Sequence, residues 1–191
     1  LFNLDFTMGL YDFDPALDMF SFATADYTDE WPNPRWATLI IRRLLENEGF
    51  REEFIQKYLM HLNTTLNTER VHHQIDSFYY HLMDVVPDQI ARWNRPWSME
   101  GWEEYVNELR AFASERPAYV RTNMRNFFQM GREIGLEVAP TDGTYRMKLN
   151  DVQIAPDGMQ GSYLAGTELN LNCIAEPGYR FSHWEVGTGN T

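Results

Sequence analysis

Three groups of side chains in this 191-residue chain have the types and spacing that chemistry asks for. The first stands at the start, Leu1-Phe2-Asn3-Leu4-Asp5-Phe6-Thr7-Met8-Gly9, a strand pattern that ends on an acid and turns at a glycine. A carboxylate fixed at a strand end, with an apolar residue packed below it, is placed to meet a divalent cation bridging phosphate groups. The plainer reading is an Asp that caps a turn, and the residues alone favour it. The second group is Asp12-x-Asp14-x-x-x-Asp18. Three acids in so short a run suggest Ca²⁺, but the glycine and closing Glu of a calcium loop are missing, so solvated loop acids are expected. The third is His61, His72, His73 and His81. Neither HExxH nor a cysteine pair accompanies them, and His72 with Asp76 at i, i+4 reads as a pair on one helix. A nucleophile elbow has no support, because no GxSxG occurs. Glu103 and Glu104 beside Trp102 read as helix-surface acids rather than glycosidase carboxylates.

The elements that position these residues follow from periodicity. Residues 1–10 read as a short strand and 11–33, with Pro15 and Pro32, as an ordered loop with one helical turn. From Pro34 to Gly131 apolar residues recur at three and four, which predicts helices. Trp36, Leu39, Ile40, Leu44 and Leu45 mark the first, and Phe50, Phe54, Tyr58, Leu59 and Leu62 the second, after Gly49. Thr68 is the expected cap of a third, with Val71, Ile75, Phe78, Tyr79, Leu82 and Val86 inward and a break at Pro87. Ser98 caps a fourth, and Ser114 with Pro117 opens a fifth that stops at Gly131. Trp36, Phe54, Phe78, Trp102 and Phe128 are expected in one core. At 136–144 the pattern changes, and Pro140, Asp142 and Gly143 mark a linker. Tyr145, Met147 and Leu149 alternate, as do Leu169, Leu171 and Cys173, which predicts strands of a small β module. Tyr179, Phe181 and Trp184 are expected mainly as core packing.

Composition narrows the classes. Hydrophobic residues make up 43% and aromatics 15%, enough for one good core and too many for a disordered chain. The formal net charge is −12, which excludes a nucleic-acid backbone as main partner. No stretch approaches the roughly 20 apolar residues of a membrane helix. Residues 1–30 hold seven acids and no Lys or Arg, unlike the mixed-charge middle. The single cysteine, Cys173, has no partner within the chain for a disulfide. Both ends look cut, and the chain is expected to be a piece of a longer protein.

Several blocks in order resemble the CotH (spore-coat protein H) kinase family. LFNLDFTMGL looks like that family's strand ending in two acids spaced by one residue, followed by an aromatic residue and Gly. RRLLENEGFREEFIQKYLMHLNTTLNTERV resembles its helical block. IDSFYYHLMDVVPDQIARW and WSMEGWEEYVNELRAFASERPAYVRTNMRNFF resemble its closing helices. The register includes Leu45, Asn47, Phe50, Arg51, Phe54, Tyr58, Arg92, Trp93, Trp102, Phe112, Arg116 and Phe128. The resemblance implies an atypical protein-kinase fold that transfers the γ-phosphate of ATP, with Mg²⁺, to secreted or surface proteins. It implies Asp5 as the metal-binding acid. The first acid of the family's pair is Asn3 here, which ligates through a carbonyl and brings no charge. A phosphate-covering loop, a strand lysine and a catalytic-loop acid are missing. The two lysines, Lys57 and Lys148, fall on a helix and in the β module. In this fold those parts precede the metal-binding turn, so no catalytic residue is expected within the chain.

GSYLAGTELNLNCIAEPGYRFSHWEV, within 144–186, resembles the bacterial β repeats of the divergent internalin type, with Gly161 and Gly166 read as bracketing a turn. The expected fold is therefore α+β: an all-helical kinase-like C-lobe over 1–135, then a small all-β repeat module over 136–191. The expected function is that of a C-terminal piece of an exported CotH-like kinase, at the surface of a bacterium or outside it. The alternative is a non-catalytic surface or adhesion scaffold that keeps the helical fold.

Overall fold

A computed structural model describes residues 14–25, 35–139 and 145–187. Within them, helices come first: α1 (Met19–Ala23), α2 (Leu39–Glu46), α3 (Glu48–Asn63), α4 (Thr68–Leu82), α5 (Val86–Trp93) and α6 (Met99–Phe127). Strands follow: β1 (Glu133–Val138), β2 (Tyr145–Leu149), β3 (Val152–Gln153), β4 (Met159–Leu164) and β5 (Leu171–Ala175). The fold is α+β, as expected. Short polar side chains start the helices by accepting from otherwise unpaired N–H groups. Asn47 Oδ1 accepts from Phe50 N at 3.0 Å, and Ser98 Oγ from Gly101 N at 3.0 Å. Asn67, one residue before the expected Thr68, accepts from Arg70 N at 2.8 Å. Pro87 lies in the first turn of α5, where a missing N–H costs nothing, and so separates α4 from α5.

The expected fifth helix is not separate. Ser114 does not cap; α6 runs unbroken through Pro117 for 29 residues. A proline inside a helix strands the carbonyl four residues earlier. That carbonyl, Ala113 O, instead accepts from Thr68 Oγ1 at 3.1 Å, so α4 completes the bond that Pro117 cannot make. The aromatic core is also corrected. Phe54 and Phe128 pack against it, but Trp36 is 76% exposed and Phe78 58% exposed. Trp36 precedes a short helix that buries only Leu45. On α4 the stripe that meets α6 is His72, Asp76 and Tyr79, which turns Phe78 outward. Trp102 stacks on Tyr79, ring centroids 4.8 Å apart.

The strands form two antiparallel sheets, one of β1 and β4, the other in the order β3-β2-β5. Asn150 and Asp151, both left-handed (φ 46° and 66°), make the two-residue turn that joins β2 to β3. The expected linker is corrected at its start. Leu136, Glu137 and Val138 are the second half of β1, which pairs with Gly161, Gln160 and Met159. Pro140, Asp142 and Gly143, expected to mark the linker, lie outside the described residues, and position 135 lies within β1. Gly161, expected in a turn, lies inside β4; Gly166 keeps its turn, with φ 98°. The core is continuous across helices and sheets. Ile55, Leu59, Met60 and Leu62 of α3 and Val120 and Met124 of α6 bury against Val138, Met147, Leu149, Ile154, Tyr163 and Leu164. Beyond β5, residues 176–187 have no regular structure. Without a strand to bury them, Tyr179, Phe181 and Trp184 are exposed, and Phe181 and Trp184 pack on one another at 5.0 Å.

Candidate functional site

The residues expected to hold a cation, Asp5 and Asn3, lie outside the described residues, as does Asp12. The described structure begins at Asp14, and it shows how the chain leaving that segment is fastened. Asp14 Oδ1 accepts from Ala16 N at 2.8 Å. Asp18 caps α1, taking Phe20 N at 3.1 Å and Ser21 Oγ at 2.6 Å. Both acids are thus occupied with local donors. Arg116 on α6 donates to Pro15 O and Leu17 O, each at 2.7 Å, and Asn123 donates to Leu17 O at 3.2 Å. Phe20 then plugs a ring of aromatics. Its centroid lies 5.6 Å from Phe128, 5.8 Å from Phe127, 5.9 Å from Tyr58 and 6.2 Å from Phe54. The sequence singled out Arg116 only as a position in register; its part as anchor of the acidic loop depends on a contact about a hundred residues away in the chain, which no periodicity encodes.

Beside this anchor, one face of α3 forms an open groove of about 270 Å³ lined by Phe50, Glu53, Phe54, Lys57, Tyr58 and His61. Lys57 pairs with Glu53 at 2.5 Å, and that hydrogen bond and charge raise its pKa. Tyr58 donates to Met19 Sδ at 3.1 Å, and burial raises its pKa. The groove holds an apolar wall, the Lys57–Glu53 ion pair and the His61 ring. Lys148, on β2, is exposed.

The histidines are distributed among structural bonds. His72 Nε2 meets Arg110 O at 2.9 Å and Ser114 Oγ at 3.1 Å, while Asp76, its expected partner, takes Arg110 at 2.6 Å and 3.0 Å. Arg110 is the better donor for the carboxylate, because it offers two N–H groups to it. His61 meets Thr65 Oγ1 at 3.3 Å and His81 meets Ser77 O at 2.6 Å. Glu103 accepts from Tyr79 at 3.3 Å. Among the described residues no three His, Cys, Asp or Glu side chains converge as a cation site. The described residues therefore do not supply a set that fits Mg²⁺.

The model of the CotH kinase protein family matches residues 3–120, more than half of the chain. This chain belongs to the CotH kinase family. No curated protein and no solved structure matches it. The family segment opens on Asn3 and closes at Val120, within α6. Arg116 lies inside it; Asn123 and, among the described residues, every strand lie beyond it. Among the described residues no helix is long and apolar enough to cross a membrane.

Proposed function

We propose that this chain is part of an exported bacterial CotH-type kinase that moves the γ-phosphate of ATP to a secreted or surface protein, with Asp5 as its cation-holding acid and Asn3 beside it. The family match that opens on Asn3 and includes Asp5 carries this reading. The fastening of Pro15 and Leu17 to α6 supports it, because it fixes the path of the chain shortly after Asp5. Bound Mg²⁺·ATP supplies the phosphoryl group and neutralises its charge. The chain's own task is placement. Asp5 contributes one full charge, and Asn3 contributes a carbonyl where the family's pattern has a second acid. The lysine and covering loop are proposed to precede Leu1, so the 191-residue chain should be inactive alone. For the β part, the internalin-type repeat remains our reading, with the sheets as a spacer of a surface protein.

The test is a kinase assay on the full-length protein. Phosphoryl transfer depends on position and electrostatics, so Asp5→Ala should lower kcat at least ~100-fold. Asn3→Asp should raise it by restoring the second charge. Wild-type protein with neither ATP turnover nor Mg²⁺-dependent nucleotide binding would overturn the kinase reading and leave the non-catalytic surface scaffold.

A further inference from the structure

The two sheets have four outer edges, and three are blunted. A strand edge presents unpaired N–H and C=O groups that template pairing with another chain unless charge, shortness or cover prevents it. The outer edge of β1 carries Glu133 and Glu137. The outer edge of β4 is covered by a side chain: Asn63 Nδ2 donates to Ser162 O at 2.9 Å, and Asn63 Oδ1 accepts from Ser162 N at 3.0 Å. β3 is two residues long and Pro156 follows soon after. Among the described residues, the fourth edge, β5, shows none of these devices. Its run Leu169-Asn-Leu-Asn-Cys-Ile-Ala175 holds no charge and no proline. Among the described residues it pairs only with β2.

The ladder shows which groups point outward. Ile154 N donates to Met147 O, so the backbone of Met147 faces β3. Antiparallel pairing alternates, so Arg146 and Lys148 bond to their partners Ile174 and Asn172. The N–H and C=O groups of Leu171, Cys173 and Ala175 are left facing away from β2. They are symmetric about Cys173. We propose that β5 pairs antiparallel with β5 of a second copy, on a two-fold axis at Cys173, to give a six-stranded sheet shared by two chains. Leu171 then exchanges bonds with Ala175 of the other copy, and Cys173 with its own counterpart. Asn172 stands opposite Ile174 on the exposed face, where Ile174 is 50% exposed. A second copy fits because the edge is self-complementary and uncharged. The net charge of −12 on each chain opposes approach, so association should tighten as salt rises.

Sedimentation velocity on the 191-residue chain, over a concentration series, tests this. Wild-type chain should show a monomer–dimer equilibrium. Asn172→Glu with Ile174→Glu places like charges directly opposite across the two-fold, twice, and should leave monomer. Within each chain those glutamates face Lys148 and Arg146, so the fold is favoured rather than harmed. Asn172→Glu with Ile174→Lys places opposite charges in the same positions and should restore dimer. Circular dichroism checks that both variants are folded. Wild-type monomer at every concentration overturns the proposal. So do two variants that are both dimeric, which would place the interface elsewhere, or both monomeric, which would exclude this register.

Discussion

At the scale of single residues, the structure assigns jobs that side-chain type alone does not announce. Thr68 reads as a helix cap, yet Asn67 caps and the Thr68 hydroxyl crosses to Ala113 O. That carbonyl needs an outside donor because Pro117 has no N–H to give. Thr68→Val should cost about 1–2 kcal/mol, the penalty for stranding a part-buried carbonyl, as read from urea unfolding. In a Pro117→Ala background the amide returns, and the same Thr68→Val change should cost well under half as much. Equal costs in both backgrounds would dismiss the link. Ser98 and the left-handed turn glycines were readable in the sequence because their partners are three or four residues away. Thr68, Arg116 and Asn63 were not, because each acts on a distant element.

Elements were legible in proportion to how far local pattern decides them. α2, α3 and α4 stand close to where the apolar spacing puts them, and β2 and β5 where alternation does, whereas Val86, expected on the helix before the break, opens the separate helix α5. α6 was divided in two because Pro117 is a breaker by local rules, and the rescue comes from another helix. β1 was missed although Ile134, Leu136 and Val138 alternate, because its second half falls in the stretch read as a linker; β4 was missed because Met159–Leu164 does not alternate cleanly and contains Gly161. That glycine is there for space. A Cβ at Gly161 would lie 2.7 Å from Asn63, whose amide bonds β4 as a strand would. Arg121 adds a bond to the same Asn63 Oδ1 at 2.9 Å. Asn63→Ala should therefore destabilise by about 2 kcal/mol and speed hydrogen exchange at the Ser162 amide. Unchanged exchange there would mean that the amide is protected by other contacts. The proposed cation residues Asp5 and Asn3 were legible only as a motif, since their expected role comes from the family resemblance rather than from local pattern.

At the scale of the molecule, helices and sheets share one core, with Leu59, Met124, Leu149 and Tyr163 at or near full burial. Folding should be a single cooperative event, with far-ultraviolet and aromatic signals losing structure at one urea concentration. Leu59→Ala should lower that midpoint for both signals together, by about 2–5 kcal/mol of stability. Two separated transitions would instead restore the linker reading of 136–144. The shared core also has a consequence in time. Asn63 and Ser162 are 99 positions apart in the chain. A ribosome adding about 5–20 residues per second would deliver β4 roughly 5–20 s after α3. During that interval Leu59 and Met60 lack their strand neighbours, so the growing chain offers an apolar strip to chaperones.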